Sequence, residues 1–215
     1  MEVLDLGLVG YSEALKRQED LLYKRINGRV GDTLVLAEHH PVISLGRVGK
    51  RESITSESFF EGKGTPVIVS SRGGEITYHA PGQLVLYPII DLSRKKRDIS
   101  FYIDFLEKTA VNSLKRLAVE AERTTRRGVW TKGKKIAFIG IALKRWVTFH
   151  GIAVNINCDI EPFSYIHPCG ESDIRVTSAK EELGREIPMD EVKRTFTEEF
   201  EKDLRLEYAG MAALV

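Results

Sequence analysis

At 215 residues, with 42% hydrophobic and 29% charged side chains, the chain has an ordinary soluble globular composition. Its length suits one substantial domain, 1–215, rather than two. Lys and Arg number 32 against 31 Asp and Glu, a net charge of +1 that excludes wholesale nucleic-acid binding. No stretch reaches the roughly 20 apolar residues of a membrane span. Met1–Asp5 carries neither the basic region nor the apolar run of a signal peptide. Two cysteines, Cys158 and Cys169, are too few for a disulfide framework or a structural zinc site. A cytoplasmic protein with free thiols is expected.

The first predicted element is an amphipathic helix over 11–26. Leu15, Leu22 and Ile26 recur near helical spacing until Asn27-Gly28 stops the pattern. Strand-like runs follow at Thr33–Ala37 and Val67–Val69, then a glycine-rich stretch from Arg72 to Gln83. Leu84–Ile90 reads as a strand, with Pro88 requiring an edge or a bulge. After the polar Ser93–Asp98, a second helix is predicted from Ser100 to about Ala121, capped by Asp98 or Ser100. Ile136–Leu143 is apolar on both faces, as a covered central strand is. In 150–156, Ile152, Val154 and Ile156 share one face. Val192, Phe196, Phe200 and Leu204 mark a last helix after Pro188 and Asp190. Helices do not alternate regularly with strands, which predicts an α+β fold with a mixed or antiparallel sheet.

Three pieces carry candidate chemistry. Cys169 lies in His167-Pro168-Cys169-Gly170. A free thiol near pKa 8.5 is only a few per cent thiolate at pH 7. A nearby ammonium or backbone N–H groups stabilise the thiolate, and Gly170 permits unusual backbone beside it. A buried inert cysteine is the alternative, and it suits Cys158 better, which follows a strand without a glycine neighbour. Lys135 stands among Lys132 and Lys134, a solvated turn at first sight. It directly precedes the apolar run, however, and alternation puts it on one face with Ala137, Ile139 and Ile141. The third piece is Arg72–Gln83, whose Gly73-Gly74 allows close backbone approach. Its glycine spacing matches neither a P-loop nor a dinucleotide fingerprint. His79 and His150 stand as structural histidines, because the chain shows no set of metal ligands. Asn155 and Asn157 either bond to loops or end a strand, and Arg145-Trp146 either lines a groove or packs in the core.

With these residues in place, the chain resembles the octanoyl-acyl-carrier-protein:protein octanoyltransferases of lipoate biosynthesis. The resemblance rests on ordered blocks over roughly 39–180: His40–Arg47, Arg72–His79, Pro81–Val85, Tyr87–Leu92, Gly128–Trp130, Lys135–Ala137, Ile139-Gly140, Arg145–Gly151, Asn155–Asn157, Pro168–Gly170 and Val176–Ser178. Ala80 departs from the family's usual glycine. The resemblance implies a fold like the biotin- and lipoate-protein ligases, a mixed sheet flanked by helices. It implies Cys169 as acyl-thioester nucleophile and Lys135 as its proton-shuttling partner. It implies a substrate pocket lined by Arg72, Gly73, Gly74, Glu75, Ile76, Thr77, Tyr78 and His79, by Phe138, Ile139 and Gly140, and by Gly151, Ile152 and Ala153. The implied donor is octanoyl on the phosphopantetheine of acyl carrier protein. The implied acceptors are lipoyl domains of 2-oxoacid dehydrogenase E2 subunits and the glycine-cleavage H protein. No resident cofactor, ATP, metal, nucleic acid or membrane is expected, and the state expected is a monomer. Arg126-Arg127, Lys132–Lys134 and Arg145 are candidates for a basic landing patch facing an acidic carrier. Three alternatives stay open: an ATP-dependent lipoate-protein ligase, a non-catalytic domain binding acylated carrier, and a cysteine hydrolase using Cys169 with His79 or His150.

Overall fold

The computed structural model describes residues 1–168 and 173–209. Strands β1 (Glu2–Val9), β2 (Thr33–His39), β3 (Val42–Leu45), β4 (Val67–Val69), β5 (Ile76–His79), β6 (Gln83–Ile89), β7 (Val129–Thr131), β8 (Lys134–Lys144) and β9 (Val147–Asn155) alternate irregularly with helices α1 (Tyr11–Ile26), α2 (Glu57–Gly62), α3 (Ile99–Arg116), α4 (Ala179–Leu183) and α5 (Met189–Ala209). A six-stranded sheet runs β1-β2-β6-β9-β8-β7, and a three-stranded sheet runs β4-β3-β5. The β1–β2 and β3–β4 pairs are parallel and the others antiparallel, so both sheets are mixed, as the irregular helix–strand order predicts.

Helix α1 buries Ala14, Gln18 and Leu22 at four-residue spacing against the large sheet. It ends at Asn27, whose backbone and side-chain nitrogens both donate to Tyr23 O. On the opposite face, α3 and α5 cover the alternating Leu34, Leu36, Leu84 and Leu86 with Tyr102, Leu106, Phe196 and Phe200. Each such large side chain taken fully out of water is worth about 1.5–3 kcal/mol. Asp98 caps α3 by accepting from Phe101 N. The helix stops at Arg116, short of the predicted Ala121. Ala118 adopts a left-handed φ of 63°, and Val119 N bonds back to Leu114 O, closing the helix end. Val119 and Ala121 still reach the same core, from non-helical chain.

Pro88 lies in a central strand at neither an edge nor a bulge, because the register is the same on both sides of it and only the ladder is interrupted. The β6–β9 ladder stops at Leu86–Ile152. Beyond it, Thr148 Oγ1 accepts from Ile90 N and donates to Pro88 O. His150, at φ 56°, turns β9 away from the ring that has no N–H to offer. Its own displaced N–H donates to Gln18 Oε1 of α1 at 2.8 Å.

Candidate active site

A narrow cleft opens between the Arg72–Glu75 loop, β5, and the β8–β9 ribbon. Of the positions expected to bind substrate, all but Gly73 and Tyr78 line it. Tyr78 turns instead into the small-sheet core, edge-on to Phe163, as alternation along a strand demands. Gly140 faces Gly151 across the ribbon. A Cβ on Gly151 would collide with Leu86 O, so only glycine lets the β6 backbone come this close. Arg72 is buried in the wall and holds the loop shut against β3. Its guanidinium donates to Ser44 O at 2.6 Å, to Ser44 Oγ, to Glu75 O at 2.8 Å and to Gly73 O. Tyr11, Val85 and Tyr87 also line the cleft, unanticipated from sequence, and so does His150, which the sequence offered only as a structural histidine or a hydrolase base. The His-Gly pair interrupting an alternating strand was the one local signal for any of them.

Lys135 is 4% exposed. Alternation put it beside Ala137, and the structure corrects that. Trp130 pairs with Lys135 but Val129 pairs with Ala137, so β8 carries one extra residue, Ile136. This bulge sends Ile136 and Ala137 together into the α3–α5 core and turns Lys135 to the other face. Its Nζ lies 5.4 Å from the Trp130 ring centroid and 5.2 Å from that of Phe138, which lines the cleft. The Lys135 backbone donates to Arg175 O and accepts from Thr177 N, while His167 N donates to Ser53 O. These contacts anchor both stems of the segment that carries Cys169. Cys169 itself lies outside the described residues. Cys158 is buried, and burial pushes its thiol up to about 12, so it stays protonated and inert at neutral pH.

Behind the cleft sits a histidine cluster. His79 Nδ1 meets Gln83 Oε1 at 2.6 Å, and its Nε2 meets Ser44 Oγ at 3.1 Å. The amide oxygen only accepts, so Nδ1 holds the proton and Nε2 accepts from the serine. His39 is fixed likewise, donating from Nδ1 to Val9 O and accepting at Nε2 from Tyr87 OH. Burial, with His39 and Arg72 nearby, holds His79 well below its ordinary range. Burial also holds His39 and His150 near 4. All three are neutral at pH 7. His79 is thus the satisfied structural histidine expected, and His39, not singled out in the sequence, is held the same way. His150 differs: Nε2 bonds to Ser71 Oγ at 3.0 Å, while Nδ1 is buried without a partner among the described residues. Thr77 Oγ1, also in the cleft wall, is likewise unpartnered. Asn155 and Asn157 bond to loops, at Thr177 and Ile187.

Of the candidates for a basic patch, four are ion-paired and Arg145 lies apart from them. Arg126 pairs with Asp173, Arg127 with Asp104, and Lys132 and Lys134 both with Glu182. Arg145 forms the tip of the β8–β9 hairpin, some 30 Å along β8 from Lys135. Ala80 packs in the small-sheet core, outside the cleft lining, so the missing glycine does not narrow it.

A mixed sheet bearing a narrow apolar cleft beside a buried lysine defines a class, the α+β catalytic domains of the lipoate- and biotin-ligase type. A bipartite lipoate protein ligase from Thermoplasma acidophilum superposes with a TM-score of 0.74 at 18% identity, over 95% of this chain and 83% of that one. A biotin protein ligase from Aquifex aeolicus gives 0.60 at 14%, over 96% and 72%. At sequence level the match is to the lipoyl protein ligase A/B catalytic domain, over residues 10–201. An octanoyltransferase of Geobacter sp. (strain M21) is 44% identical over 94% of this chain and 96% of its own length. One from Caldicellulosiruptor bescii is 43% identical over 96% and 94%. The chain belongs to the octanoyltransferases of the lipoyl protein ligase A/B catalytic-domain family.

Proposed function

We propose that the protein moves an octanoyl group from acyl carrier protein to a lipoyl-domain lysine through a thioester on Cys169, with Lys135 carrying the protons. The activity class follows from family membership: an acyltransferase, an octanoyltransferase of protein lipoylation. In the first half-reaction the Cys169 sulfur attacks the carbonyl carbon of the carrier thioester. Lys135 takes the thiol proton, the carbon–sulfur bond to phosphopantetheine breaks, and the proton passes to the leaving thiolate. In the second, the acceptor lysine amine attacks the acyl-enzyme. Its surplus proton leaves through Lys135 as the Cys169 thiolate departs. Thioester exchange is nearly balanced in energy and amide formation from a thioester is downhill, so neither ATP nor a metal enters the scheme, and the only prosthetic arm is the donor's own.

The observation that carries this reading is the setting of Lys135. Its amine is buried between Trp130 and the cleft residue Phe138, and its backbone is bonded to the outgoing stem of the Cys169 segment. The cleft beside it has the narrow, largely apolar wall an alkyl chain needs. Donor and acceptor identities, octanoyl-acyl carrier protein on one side and E2 or H-protein lipoyl domains on the other, belong to the proposal, as do the monomeric state and a cytoplasmic location. No helix among the described residues is long and apolar enough to cross a membrane.

Intact-mass measurement after mixing enzyme with octanoyl-carrier tests the scheme. Wild type is expected to gain one octanoyl group and then lose it to an added lipoyl domain. Cys169→Ser is expected to gain no stable thioester, and Lys135→Ala to acylate about a hundredfold more slowly or worse. Acceptor modification that requires ATP and free acid, or that survives Cys169→Ser at full rate, would overturn the covalent route.

A further inference from the structure

The cleft has an inner end, and the ribbon measures its depth. Across β8 and β9, Ala153 faces Phe138, Ile152 faces Ile139, Gly151 faces Gly140, and His150 faces Ile141. Lys135 Nζ sits over Phe138 at one level, and His150 closes the wall at the other. Three residue steps at about 3.3 Å separate those levels by about 10 Å. A staggered eight-carbon acyl chain, with bonds of about 1.5 Å, extends roughly 9 Å from carbonyl to methyl.

Space continues behind His150. A second hollow lies between α1 and the tip of the β8–β9 hairpin, walled by Leu22, Tyr23, Ile26 and Phe149. Ser71 lines this hollow, and its hydroxyl bonds to Nε2 of His150, which lines the cleft. The imidazole on the cleft side and the Ser71 hydroxyl on the hollow side together stand between the two spaces. The imidazole is latched on one edge only, because its Nδ1 is buried without a partner among the described residues. The left-handed backbone at His150, held by Gln18, fixes the direction in which the ring projects.

We propose that the His150 ring, latched by Ser71, is the end stop of the acyl cleft. It limits the transferred chain to about eight carbons, and a longer chain enters the hollow behind it once the ring is gone. The inference rests on the acyl-transfer reading above and adds to it the determinant of chain length.

His150→Gly removes the ring and suits the left-handed backbone. The experiment measures kcat/KM of wild type and variant with octanoyl, decanoyl and dodecanoyl thioesters of acyl carrier protein. Calorimetric Kd values for octanoate and dodecanoate are measured alongside. The dodecanoyl-to-octanoyl ratio of kcat/KM is expected to rise about tenfold or more in the variant, mainly through KM, as pocket discrimination by methylene groups allows. Adding Ser71→Trp, at an exposed position on the hollow, is expected to bring the ratio back towards the wild-type value. A merely structural role for His150 does not produce that rescue. If His150→Gly fails to fold, His150→Asn, shorter and tolerant of the left-handed region, carries the same measurements. A folded variant with an unchanged length profile overturns the end stop and leaves the transfer reading intact. A wild type that transfers no chain overturns the transfer reading, and the fatty-acid Kd ratio then decides the end stop separately.

Discussion

Gly128 occupies φ 101°, and a Cβ placed there would lie 2.6 Å from Lys135 Cε and 3.3 Å from its Nζ. No L-residue adopts that backbone without strain of about 1–3 kcal/mol, and here the methyl also strikes the one side chain whose placement matters most. The residue is held in place from the other side as well, because its N–H donates to the buried carboxylate of Glu107 at 2.8 Å. Gly128→Ala must therefore push the Lys135 amine off its seat between Trp130 and Phe138. Acylation of Cys169 is expected to slow by about a hundredfold, the penalty of roughly an ångström of misplacement. Single-turnover mass spectrometry reads the rate, and thermal melting shows whether the fold persists. Full-rate acylation by a folded Gly128→Ala protein would remove Lys135 from the proton pathway.

A bulge in β8 and a break in the β6–β9 ladder at His150 build the site at the scale of elements. The Ile136 bulge decides which face Lys135 joins, and the left-handed turn at His150 makes room for Pro88 and sets the ring at the cleft's end. The second depends on α1. Gln18 is buried and accepts the N–H that the ladder break opposite Pro88 leaves stranded. Gln18→Leu keeps the volume and removes the acceptor, so unfolding free energy is expected to fall by about 1–3 kcal/mol in a denaturant titration. An unchanged midpoint would mean that the His150 N–H finds another acceptor. These same features explain what the sequence conveys and what it hides. Helical periodicity marks α1 and α5 well, because their buried residues repeat every four positions on one face. Alternation identifies Ile152, Val154 and Ile156 correctly. It fails at Lys135 because one inserted residue reverses the phase, and Ile136 and Ala137 are both apolar, so nothing in the pattern signals the slip. Strand β1 escapes because it is a parallel edge strand with exposed side chains and a left-handed Gly7. In the cleft, motif resemblance locates the right segments but treats each as a solid block, and the pleat sends Tyr78 away while admitting Thr77 and His79. Tyr11, Val85 and Tyr87 come to the cleft through tertiary placement alone.

Across the whole molecule, the small sheet and α1 close over one face of the large sheet and seal His39, His79 and His150 from water. Tyr11 stacks 5.5 Å from His79, and His39 lies 5.6 Å from it. Each ring is held neutral, His39 and His150 near 4 and His79 well below its ordinary range. An unfolded chain protonates its histidines near 6.5. Depressed histidine values make the folded state the poorer proton binder, so the stability they contribute is complete above about 6.5 and is lost as pH falls towards 4. Glu182 acts at lower pH. Burial raises its carboxyl, but hydrogen bonds from Lys134, Thr177 and Lys132 outweigh this and hold it near 2. Its contribution is present above the ordinary carboxylate range and disappears only as pH drops through that range towards 2, so it does not cancel the histidine loss. The three histidines together set a slope of up to about 4 kcal/mol per pH unit between 6 and 4.5, about 1.4 from each. Denaturant unfolding at half-unit steps from pH 7.5 to 5 measures it. His39→Gln can still reach both Val9 O and Tyr87 OH without a titrating ring, and it is expected to reduce the slope by about a third. A stability that stays level from pH 7 to 5 would show that these rings protonate inside the fold, and the sealed, neutral cluster behind the cleft would have to be abandoned.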